Sequence, residues 1–456
     1  MSRVDSPLTL QSSHRKLQEG FAWAKAQALA YVFLGDPVGD WYEASLPGRE
    51  AFCMRDVSHQ CTGARALGLA AVTRNMFHAF ARNISASRDW CTFWEIDKRG
   101  APCSADYRDD SSFWYNLPAN FDILQACFRE YLWTGDRAYI DDPAFLHFYE
   151  ATVSSYVDAW DKDGDGIPEH RPEYGVRGLG SYDEGRNGRA CLAGGDLVAL
   201  QFAAYQAYAE IIALRGNTAE AERFLTKARL LREQYNGRWW DAQRGIFSSI
   251  KLQDRSFAAD FIPGIQVFPL LSGIIEEGLK TDATLDALIR AEAPNVESRS
   301  YYPEVYYAYG RNGSAYRELM ALVDPGLERR EYPEVSFAVL GSIAAGLMGI
   351  EPDARENLVA TLPRLTRDTA WVELGSVAVM KNVINIRHEG TERSLCRNAS
   401  GASFIWKAVF PGTLNTLIVD GQKTAATTGR GVNGQELSWV VVRMEPGESH
   451  TVCRNR

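Results

Sequence analysis

The feature that most constrains the fold of this chain is a repeated unit in which an apolar run of helical period ends at a short glycine turn. Alanine, leucine and aromatic residues recur at steps of three and four over residues 17–349, most clearly over residues 198–214. Gly135, Gly216 and Gly310 each follow one such run and precede another. Glycine readily adopts the left-handed conformation that ends a helix, so the next helix can fold back antiparallel. The sequence therefore predicts a body built from αα-hairpins.

The pattern changes after Leu374, where short runs become rich in β-branched and aromatic residues. Such runs, separated by turn residues, are typical of strands. We expect residues 1–372 to form a helical domain and residues 373–456 to form a small β region packed on it. The predicted strands contain residues 377–379, 383–386, 403–406, 416–419 and 439–442.

Charge and cysteine usage narrow the class of protein. The chain carries 49 Lys and Arg against 58 Asp and Glu, a net charge of -9, which argues against a nucleic-acid partner. Residues 1–16 lack the apolar core of a secretory signal, and we expect no membrane span. The eight cysteines form no C-x-x-C pair, which favours reduced thiols. We therefore expect a cytoplasmic protein, and the sequence leaves its oligomeric state open.

The most specific local pattern is an acidic loop at residues 161–169, DKDGDGIPE. Acidic side chains at alternate positions before a glycine gather hard oxygen ligands around one point, as Ca²⁺-binding loops do. The twelfth position is Pro172 and not glutamate, so the loop is not a complete EF-hand. The alternative is a turn held by its own aspartate side chains. The candidate ligands of a structural Ca²⁺ are Asp161, Asp163, Asp165, the carbonyl of Ile167, and Glu169.

The acidic loop, followed by Ser181-Tyr182-Asp183 and a helix rich in leucine and alanine, resembles the six-hairpin glycosidases, whose fold is an (α/α)6 barrel. The motif is nearest to the bile-acid β-glucosidase (glucosylceramidase) type. In that type a T-Y-D-x-W segment carries the catalytic acid, so the resemblance implies that role for Asp183. Here Gly185 stands in place of the tryptophan. As an architecture, the resemblance extends over residues 17–374.

A second resemblance concerns Arg55-Asp56, which is similar to the Arg-Asp pair that opens an inner helix and binds sugar hydroxyls in several families of this superfamily. The β-glucosidase type has its nucleophilic glutamate three residues before such an aspartate. This chain has Cys53 at that position. The resemblance therefore implies an inverting mechanism in preference to a retaining one.

Glycoside hydrolysis requires two carboxyl groups that flank the scissile bond, one protonated and one ionised. The candidate base is Glu334, with Glu331 as the alternative, because both lie at the mouth of a predicted apolar helix. The competing interpretation for each is an ordinary helix-entry carboxylate favoured by the helix dipole. Glu184, adjacent to Asp183, is the alternative general acid.

Aromatic residues interleaved with carboxylates indicate a saccharide pocket, since aromatic faces stack on sugar rings while carboxylates bind hydroxyls. Such a patch runs through residues 88–115, and its tryptophans could instead only close one end of the barrel. His59 is either a structural histidine or a proton carrier. The candidate substrate-binding residues are Arg55, Asp56, His59, Trp94, Asp110, Trp114 and Tyr301.

The sequence thus predicts a mainly α protein, an (α/α)6 barrel of helical hairpins with a small C-terminal β region. We expect an exo-acting glycoside hydrolase that cleaves a terminal sugar from an oligosaccharide or glycoside, with no cofactor for catalysis. One alternative is a polysaccharide lyase or sugar epimerase, which would use His59, Tyr301 or Tyr302 in the pocket. The other is a carbohydrate-binding protein without catalytic activity.

Overall fold

The helical part of the protein follows the predicted hairpin pattern. The structure, a computed structural model, describes residues 4–184 and 190–455. The final helix, α14, continues into a π-helical turn at Ser342–Leu347. The helices are α1 Arg15–Ala30, α2 Met54–Ala66, α3 Ala70–Arg82, α4 Pro118–Thr134, α5 Ala138–Asp141, α6 Pro143–Val153, α7 Ser155–Trp160, α8 Gly195–Leu214, α9 Thr218–Arg238, α10 Pro263–Ser272, α11 Leu279–Arg290, α12 Val296–Ala308, α13 Asn312–Leu322 and α14 Pro333–Gly341.

The three glycine turns are confirmed. Gly135, Gly216 and Gly310 have φ angles of 68°, 86° and 68° and follow α4, α8 and α12. These angles lie in the left-handed region, where a Cβ atom is unfavourable. Each glycine therefore ends one helix just before the next helical segment begins.

Strands occur as short hairpins between helices and as two larger sheets. All five predicted C-terminal strands are present, as β14, β15, β17, β18 and β21. The strands are β1 Thr9–Ser12, β2 Val32–Asp36, β3 Gly39–Tyr42, β4 Ala51–Cys53, β5 Glu95–Asp97, β6 Tyr107–Asp109, β7 Ser112–Phe113, β8 Cys191–Gly194, β9 Trp240–Asp241, β10 Ile246–Phe247, β11 Ile250–Leu252, β12 Glu351–Asp353, β13 Leu358–Thr361, β14 Trp371–Val379, β15 Asn382–Glu389, β16 Arg393–Ser400, β17 Phe404–Pro411, β18 Thr416–Val419, β19 Gln422–Ala425, β20 Thr427–Arg430, β21 Glu436–Met444 and β22 Ser449–Arg454.

The β region extends beyond the predicted range of 373–456. Its larger sheet has the order β1-β14-β15-β16-β22-β18-β19, and its second sheet has the order β12-β13-β17-β21-β20. The N-terminal strand β1 pairs antiparallel with β14, with Thr9 opposite Gly375. This pairing covers the backbone edge of β14, which would otherwise be open to pairing with another chain. Segments before residue 373 therefore contribute strands to both sheets.

Helices and sheets share one hydrophobic core among the described residues, which runs from Leu17 and Phe21 in α1 to Val440 and Val452 in the β region. Helix α8, Gly195–Leu214, is long and apolar enough to cross a membrane by length and composition alone. Its most apolar window is 72% buried inside the protein, as expected of a core helix. All eight cysteines are free thiols, as predicted.

Candidate active site

A cavity with two adjoining lobes lies where several inter-helix segments meet the first turns of α2, α12 and α14. We call the lobe of about 350 Å³ the tryptophan lobe and the lobe of about 490 Å³ the phenylalanine lobe. Four residues border both lobes and form what we call the waist: Arg55, Glu184, Glu297 and Glu334. The rest of the tryptophan lobe includes Arg49, Cys53, Asp56, Trp94, Glu95, Asp106, Trp114 and Tyr332. The rest of the phenylalanine lobe includes Tyr182, Asp183, Phe261, Ile262, Pro263, Ile265, Phe268, Asn295 and Tyr301.

Three carboxylates reach this cavity from the starts of three helices. Asp56, Glu297 and Glu334 lie in the first turns of α2, α12 and α14. The start of α12 is fixed by Asn295, whose side chain accepts a hydrogen bond from the backbone N–H of Ser298 at 2.8 Å. Free N–H groups and the helix dipole favour negative charge in a first turn. The helix starts therefore bring acidic side chains to one place.

Close packing of α2 against α14 brings Asp56 and Glu334 to the same cavity. A Cβ atom on Gly63 of α2 would lie 2.1 Å from the carbonyl oxygen of Phe337 in α14. One on Gly341, at the end of α14, would lie 2.4 Å from Oγ1 of Thr62. Both distances are far below ordinary van der Waals contact. The two glycines therefore permit an interhelical approach that any larger residue would prevent.

The environment of Glu334 favours its protonated form. The residue is only 5% exposed, and burial raises its pKa well above the usual range for glutamate. The negative charge of Asp56 adds to the rise, and the guanidinium of Arg55 opposes it. Arg55 also contacts Asp56, with 3.3 Å between Nε and Oδ1. An uncharged carboxyl is thus favoured at the waist, as expected for buried neighbouring carboxylates.

Asp183 lines the phenylalanine lobe and is held from behind by a buried network. Asp196, in the first turn of α8, accepts hydrogen bonds from the backbone N–H of Tyr182 at 2.6 Å and from Oγ of Ser181 at 2.9 Å. The backbone N–H of Asp183 in turn donates to Oγ of Ser181 at 3.0 Å. The hydroxyl of Tyr182 donates to Asp122 at 3.0 Å. These contacts orient the backbone of the segment that carries Asp183.

The far wall of the tryptophan lobe combines charge with aromatic faces. Glu95 is 3% exposed, and burial, with a hydrogen bond to Asp106, raises its pKa to about 8. Nη2 of Arg49 lies 2.8 Å from Oε2 of Glu95 and 2.7 Å from Oδ2 of Asp106. Trp94 and Trp114 complete this wall. The lobe therefore offers guanidinium, carboxyl and indole groups to one ligand.

Arg55, Asp56, Trp94, Trp114 and Tyr301 border the cavity, as do Asp183, Glu184 and Glu334, so the structure brings these predicted residues together. Glu331 is exposed and lines neither lobe as described. Asp110 also lies outside both lobes. Its carboxylate accepts from Arg88 at 2.7 Å and from Tyr107 at 2.5 Å, and hydrogen bonds from these residues and Ser87 lower its pKa to about 2. Gly185 lies outside the described residues.

His59 borders a separate void, which shares Phe268 and Tyr301 with the phenylalanine lobe, and it lines neither lobe. Its ring stacks on Tyr301 with centroids 3.7 Å apart, and its Nε2 lies 2.9 Å from Oγ of Ser300. Burial lowers its pKa to about 4. His59 is therefore a neutral side chain near pH 7 that packs against Tyr301.

Sequence reasoning did not single out Glu297, Arg49, Glu95 or Asp196. Oε1 of Glu297 lies 3.3 Å from Arg329, and the side chain borders both lobes. The available signal was its position two residues after Asn295, a typical helix N-cap. Asp196 has a similar signal, because it directly follows two glycines before an apolar helical run. Neither signal distinguishes a functional carboxylate from a structural one.

The acidic loop lies outside the two lobes. One carboxylate oxygen from each of Asp161, Asp163 and Asp165 lies within 4.8 Å of the others, a donor set that suits a hard cation. Asp163 also contacts Arg255 at 3.0 Å, and Asp165 contacts Lys251 at 3.5 Å. Basic side chains thus compensate two of the three charges.

The other two predicted ligands are less available to a cation. Glu169 is 3% exposed and accepts a hydrogen bond from Nε of Arg171 at 3.0 Å. Ile167 is buried. Asp161 accepts backbone N–H bonds from Gly164 at 2.8 Å and Gly166 at 2.9 Å, as a self-bonded turn requires. The loop thus has both the oxygen cluster of a cation site and the hydrogen bonds of a self-supporting turn.

No protein-family model and no curated protein sequence matches the chain. Solved structures with the same fold do exist. A GH78 family rhamnosidase of Bacillus sp. GL1 is 14% identical, with a TM-score of 0.64 over 86% of this chain and 41% of its own. An α-L-rhamnosidase from Dictyoglumus thermophilum is 13% identical, with a TM-score of 0.66. The match covers 99% of this chain and 51% of the rhamnosidase. A protein from the human microbiome described as a kojibiose phosphorylase is 8% identical, with a TM-score of 0.61. The match covers 96% of this chain and 63% of that protein.

The chain spans about half or less of the length of the two rhamnosidases. At identities of 8–14% the likeness concerns the fold. The chemistry therefore has to be argued from the residues of the cavity.

Proposed function

We propose that this protein is an (α/α)6-barrel glycoside hydrolase that cleaves a terminal sugar by general acid and base catalysis. The observation that carries the proposal is that Asp183 and Glu334, distant in sequence, border one cavity with aromatic and charged walls. Two carboxyl groups facing one ligand space are what hydrolysis of a glycosidic bond requires. The bile-acid β-glucosidase type stays a prediction from the acidic loop and Asp183.

The two lobes differ in a way that suits the two halves of a glycoside. In the tryptophan lobe, Trp94 and Trp114 offer faces for a sugar ring, while Asp56 and Arg55 offer partners for its hydroxyls. The phenylalanine lobe, which Phe261 and other apolar residues line, would take the leaving group. The scissile bond would then lie at the waist.

This placement assigns the two catalytic roles. Asp183 borders only the phenylalanine lobe, on the leaving-group side, so it would donate its proton to the glycosidic oxygen as the C1–O bond breaks. Glu334, at the waist, would accept a proton from the water that attacks C1, which requires its ionised form and so a pH above its raised pKa. The products are a sugar with inverted anomeric configuration and the freed alcohol, and both carboxyl groups then exchange protons with solvent to restart the cycle.

The chemistry of Cys53 supports inversion. Burial, followed by the charge of Asp56, raises the pKa of the Cys53 thiol well above its usual range. A protonated thiol is a poor nucleophile. A covalent glycosyl intermediate at this position is therefore disfavoured, and direct attack by water is the proposed route.

The test is hydrolysis of a panel of nitrophenyl glycosides by the full chain and by Asp183→Asn and Glu334→Gln variants. We expect kcat to fall by about 10²–10⁴-fold in each, because each variant removes one proton-transfer group. Glu331→Gln is the matched control and should stay within about twofold, since Glu331 is exposed outside the cavity. Proton NMR of the first product should show the inverted anomer.

Full activity in either catalytic variant would refute the assigned pair. If the protein binds sugars but hydrolyses no glycoside in the panel, the result would instead favour the carbohydrate-binding protein without catalytic activity. An unsaturated or epimerised product would favour the lyase or epimerase alternative, for which neutral, buried His59 is poorly placed.

We also propose that the acidic loop holds a structural Ca²⁺ through Asp161, Asp163 and Asp165, which would supply no chemistry to the reaction. The ion would compete with Arg255 and Lys251 for these oxygens. Added Ca²⁺ should raise the midpoint of thermal unfolding, and Asp163→Asn should reduce that rise. An identical midpoint in calcium and in chelator would leave the self-bonded turn as the explanation.

A further inference from the structure

A second cavity, of about 300 Å³, lies at the opposite ends of the helices that form the proposed active site. Arg65 of α2 borders it, nine residues after Asp56. At 1.5 Å per residue, Arg65 is roughly 14 Å further along the helix axis. Glu304 of α12 and Ser342, just after α14, also border this cavity. The same helices thus present their first turns to one cavity and their last turns to the other.

The second cavity is rich in guanidinium groups. Arg65, Arg129 and Arg364 all border it, from α2, α4 and the segment after β13. The carboxylates on its described walls are Glu304 and Glu351. Nη2 of Arg129 lies 2.6 Å from Oε1 of Glu304, so the charges of these two residues neutralise each other. The charges of Arg65 and Arg364, opposed by that of Glu351, therefore decide the character of the cavity.

The positive charge of Arg65 is only partly neutralised by a neighbouring carboxyl group. It is 6% exposed and its Nη1 lies 3.3 Å from Glu130, a fully buried carboxyl. Burial raises the pKa of Glu130, although Arg65 opposes the rise. The Nε–H of Arg65 is buried with no hydrogen-bond partner in the described part of the chain. The other face of the guanidinium packs on Trp133, 4.4 Å from the ring centroid.

Arg364 makes no ion pair within 4.0 Å with any described carboxylate. Its Nη1 instead donates to the carbonyls of Ala345 at 3.1 Å and Gly346 at 2.8 Å. These carbonyls belong to the π-helical turn, a type of segment often found at functional sites. The hydrogen-bond acceptors of this guanidinium are thus neutral carbonyls, and the charge of Glu351 on the same cavity wall acts on it only from beyond ion-pair distance.

We propose that the second cavity binds a phosphate-type oxyanion, either inorganic phosphate or the phosphoryl group of a sugar phosphate. Planar guanidinium groups match phosphate oxygens and can bind them bidentately. Three such groups from three separate segments converge on a space large enough for a small metabolite. A bound oxyanion would give Arg364 the close ion pair that no described carboxylate provides. This binding does not depend on the proposed hydrolysis.

The test uses Ala308, the last residue of α12, which borders the second cavity and touches neither lobe of the proposed active site. Ala308→Glu places a negative charge in the cavity, and Ala308→Gln is the neutral variant of nearly equal size. Isothermal titration of the full chain with inorganic phosphate and with glucose 6-phosphate measures binding directly. Circular dichroism and thermal unfolding establish that both variants fold.

We expect one phosphate per chain in the wild type and in Ala308→Gln, and an affinity at least about tenfold lower in Ala308→Glu, since like charges oppose binding. Arg364→Gln should weaken binding by a similar factor. Tighter binding of glucose 6-phosphate would identify a sugar phosphate, and equal affinities would identify inorganic phosphate. Absence of binding at millimolar phosphate would overturn the proposal. Binding unaffected by Ala308→Glu would place the anion elsewhere and overturn it as well.

Discussion

Asp56 and Glu334 lie in the first turns of α2 and α14 and border the same cavity, so that burial and then the charge of Asp56 raise the pKa of Glu334. This relationship makes the protonation of one carboxyl depend on the other. Arg55 forms an ion pair with Asp56, and its positive charge limits the rise in the pKa of both Asp56 and Glu334. The protonation of Glu334 therefore depends on burial and on the charges of Asp56 and Arg55.

The first prediction concerns the pH dependence of hydrolysis. A general base acts only when ionised, and the pKa of Glu334 is raised, so kcat/KM should fall with decreasing pH at a higher pH than an ordinary glutamate would cause. Asp56→Asn removes a negative neighbour and should move this acidic limb to lower pH, whatever it does to the maximum rate. The pH profile of kcat/KM measures this, with Glu331→Gln as control. An unmoved limb in Asp56→Asn would assign it to another group.

The second prediction concerns stability above neutral pH. Burial, chiefly, raises the pKa of Glu95 to about 8 in the folded protein, against 4.5 for the free side chain. The folded state thus keeps a proton that the unfolded state has already lost, so the free energy of unfolding should fall as the pH rises from 6.5 to 8. Asp122, with a pKa of about 7, contributes in the same direction.

Glu95→Gln tests this assignment because it retains the shape of the side chain without its ionisation. The fall in unfolding free energy between pH 6.5 and 8 should become smaller by about 1–2 kcal/mol. His59 and His388 have their pKa lowered to about 4 in the folded protein, but they are partly protonated near pH 6.5 when unfolded, so each slightly opposes the fall. This opposing contribution is the same in the wild type and in Glu95→Gln and cancels in the comparison. Urea unfolding at the two pH values gives the answer, and an unchanged difference would show that Glu95 is not responsible.

The third prediction concerns the contact between α2 and α14. Gly63→Ala would place a Cβ atom 2.1 Å from a backbone oxygen that cannot move aside without shifting α14. We expect a loss of stability of about 2–4 kcal/mol and a lower kcat, because the helices that carry Asp56 and Glu334 must separate. Gly237→Ala is the control, since nothing lies near that Cβ in α9. It should leave activity intact and stabilise the protein by up to about 1 kcal/mol.

The fourth prediction concerns the support of Asp183. Asp196→Asn keeps the size of the side chain but weakens its bonds to the N–H of Tyr182 and the hydroxyl of Ser181. We expect kcat to fall by about tenfold while KM changes little, because a positioning residue affects the reacting geometry more than sugar binding. Ser181→Ala should produce a smaller decrease. An increase in KM alone would indicate a role in substrate binding instead.

The hairpins and C-terminal strands were predictable because they depend on local patterns. Gly135, Gly216 and Gly310 end helices through their own backbone freedom, and the strands after Leu374 follow from residue type and turns. The β region was predicted too short because the pairing of β1 with β14 joins residues more than 300 positions apart. Such long-range pairing cannot be predicted from the local pattern of residues 9–12.

The sequence by itself determined the helix–glycine–helix units, the strands and the acidic character of the segments that reach the cavity, since each depends on neighbours along the chain. Only the tertiary structure decided which carboxylates share a space. It placed Asp183 and Glu334 on one cavity, left Asp110 bonded to Arg88 outside it, and added Glu297. The physical reason is that helix starts far apart in sequence meet only through the packing of the helices. That packing depends on close contacts such as the one between Gly63 of α2 and the backbone of Phe337 in α14.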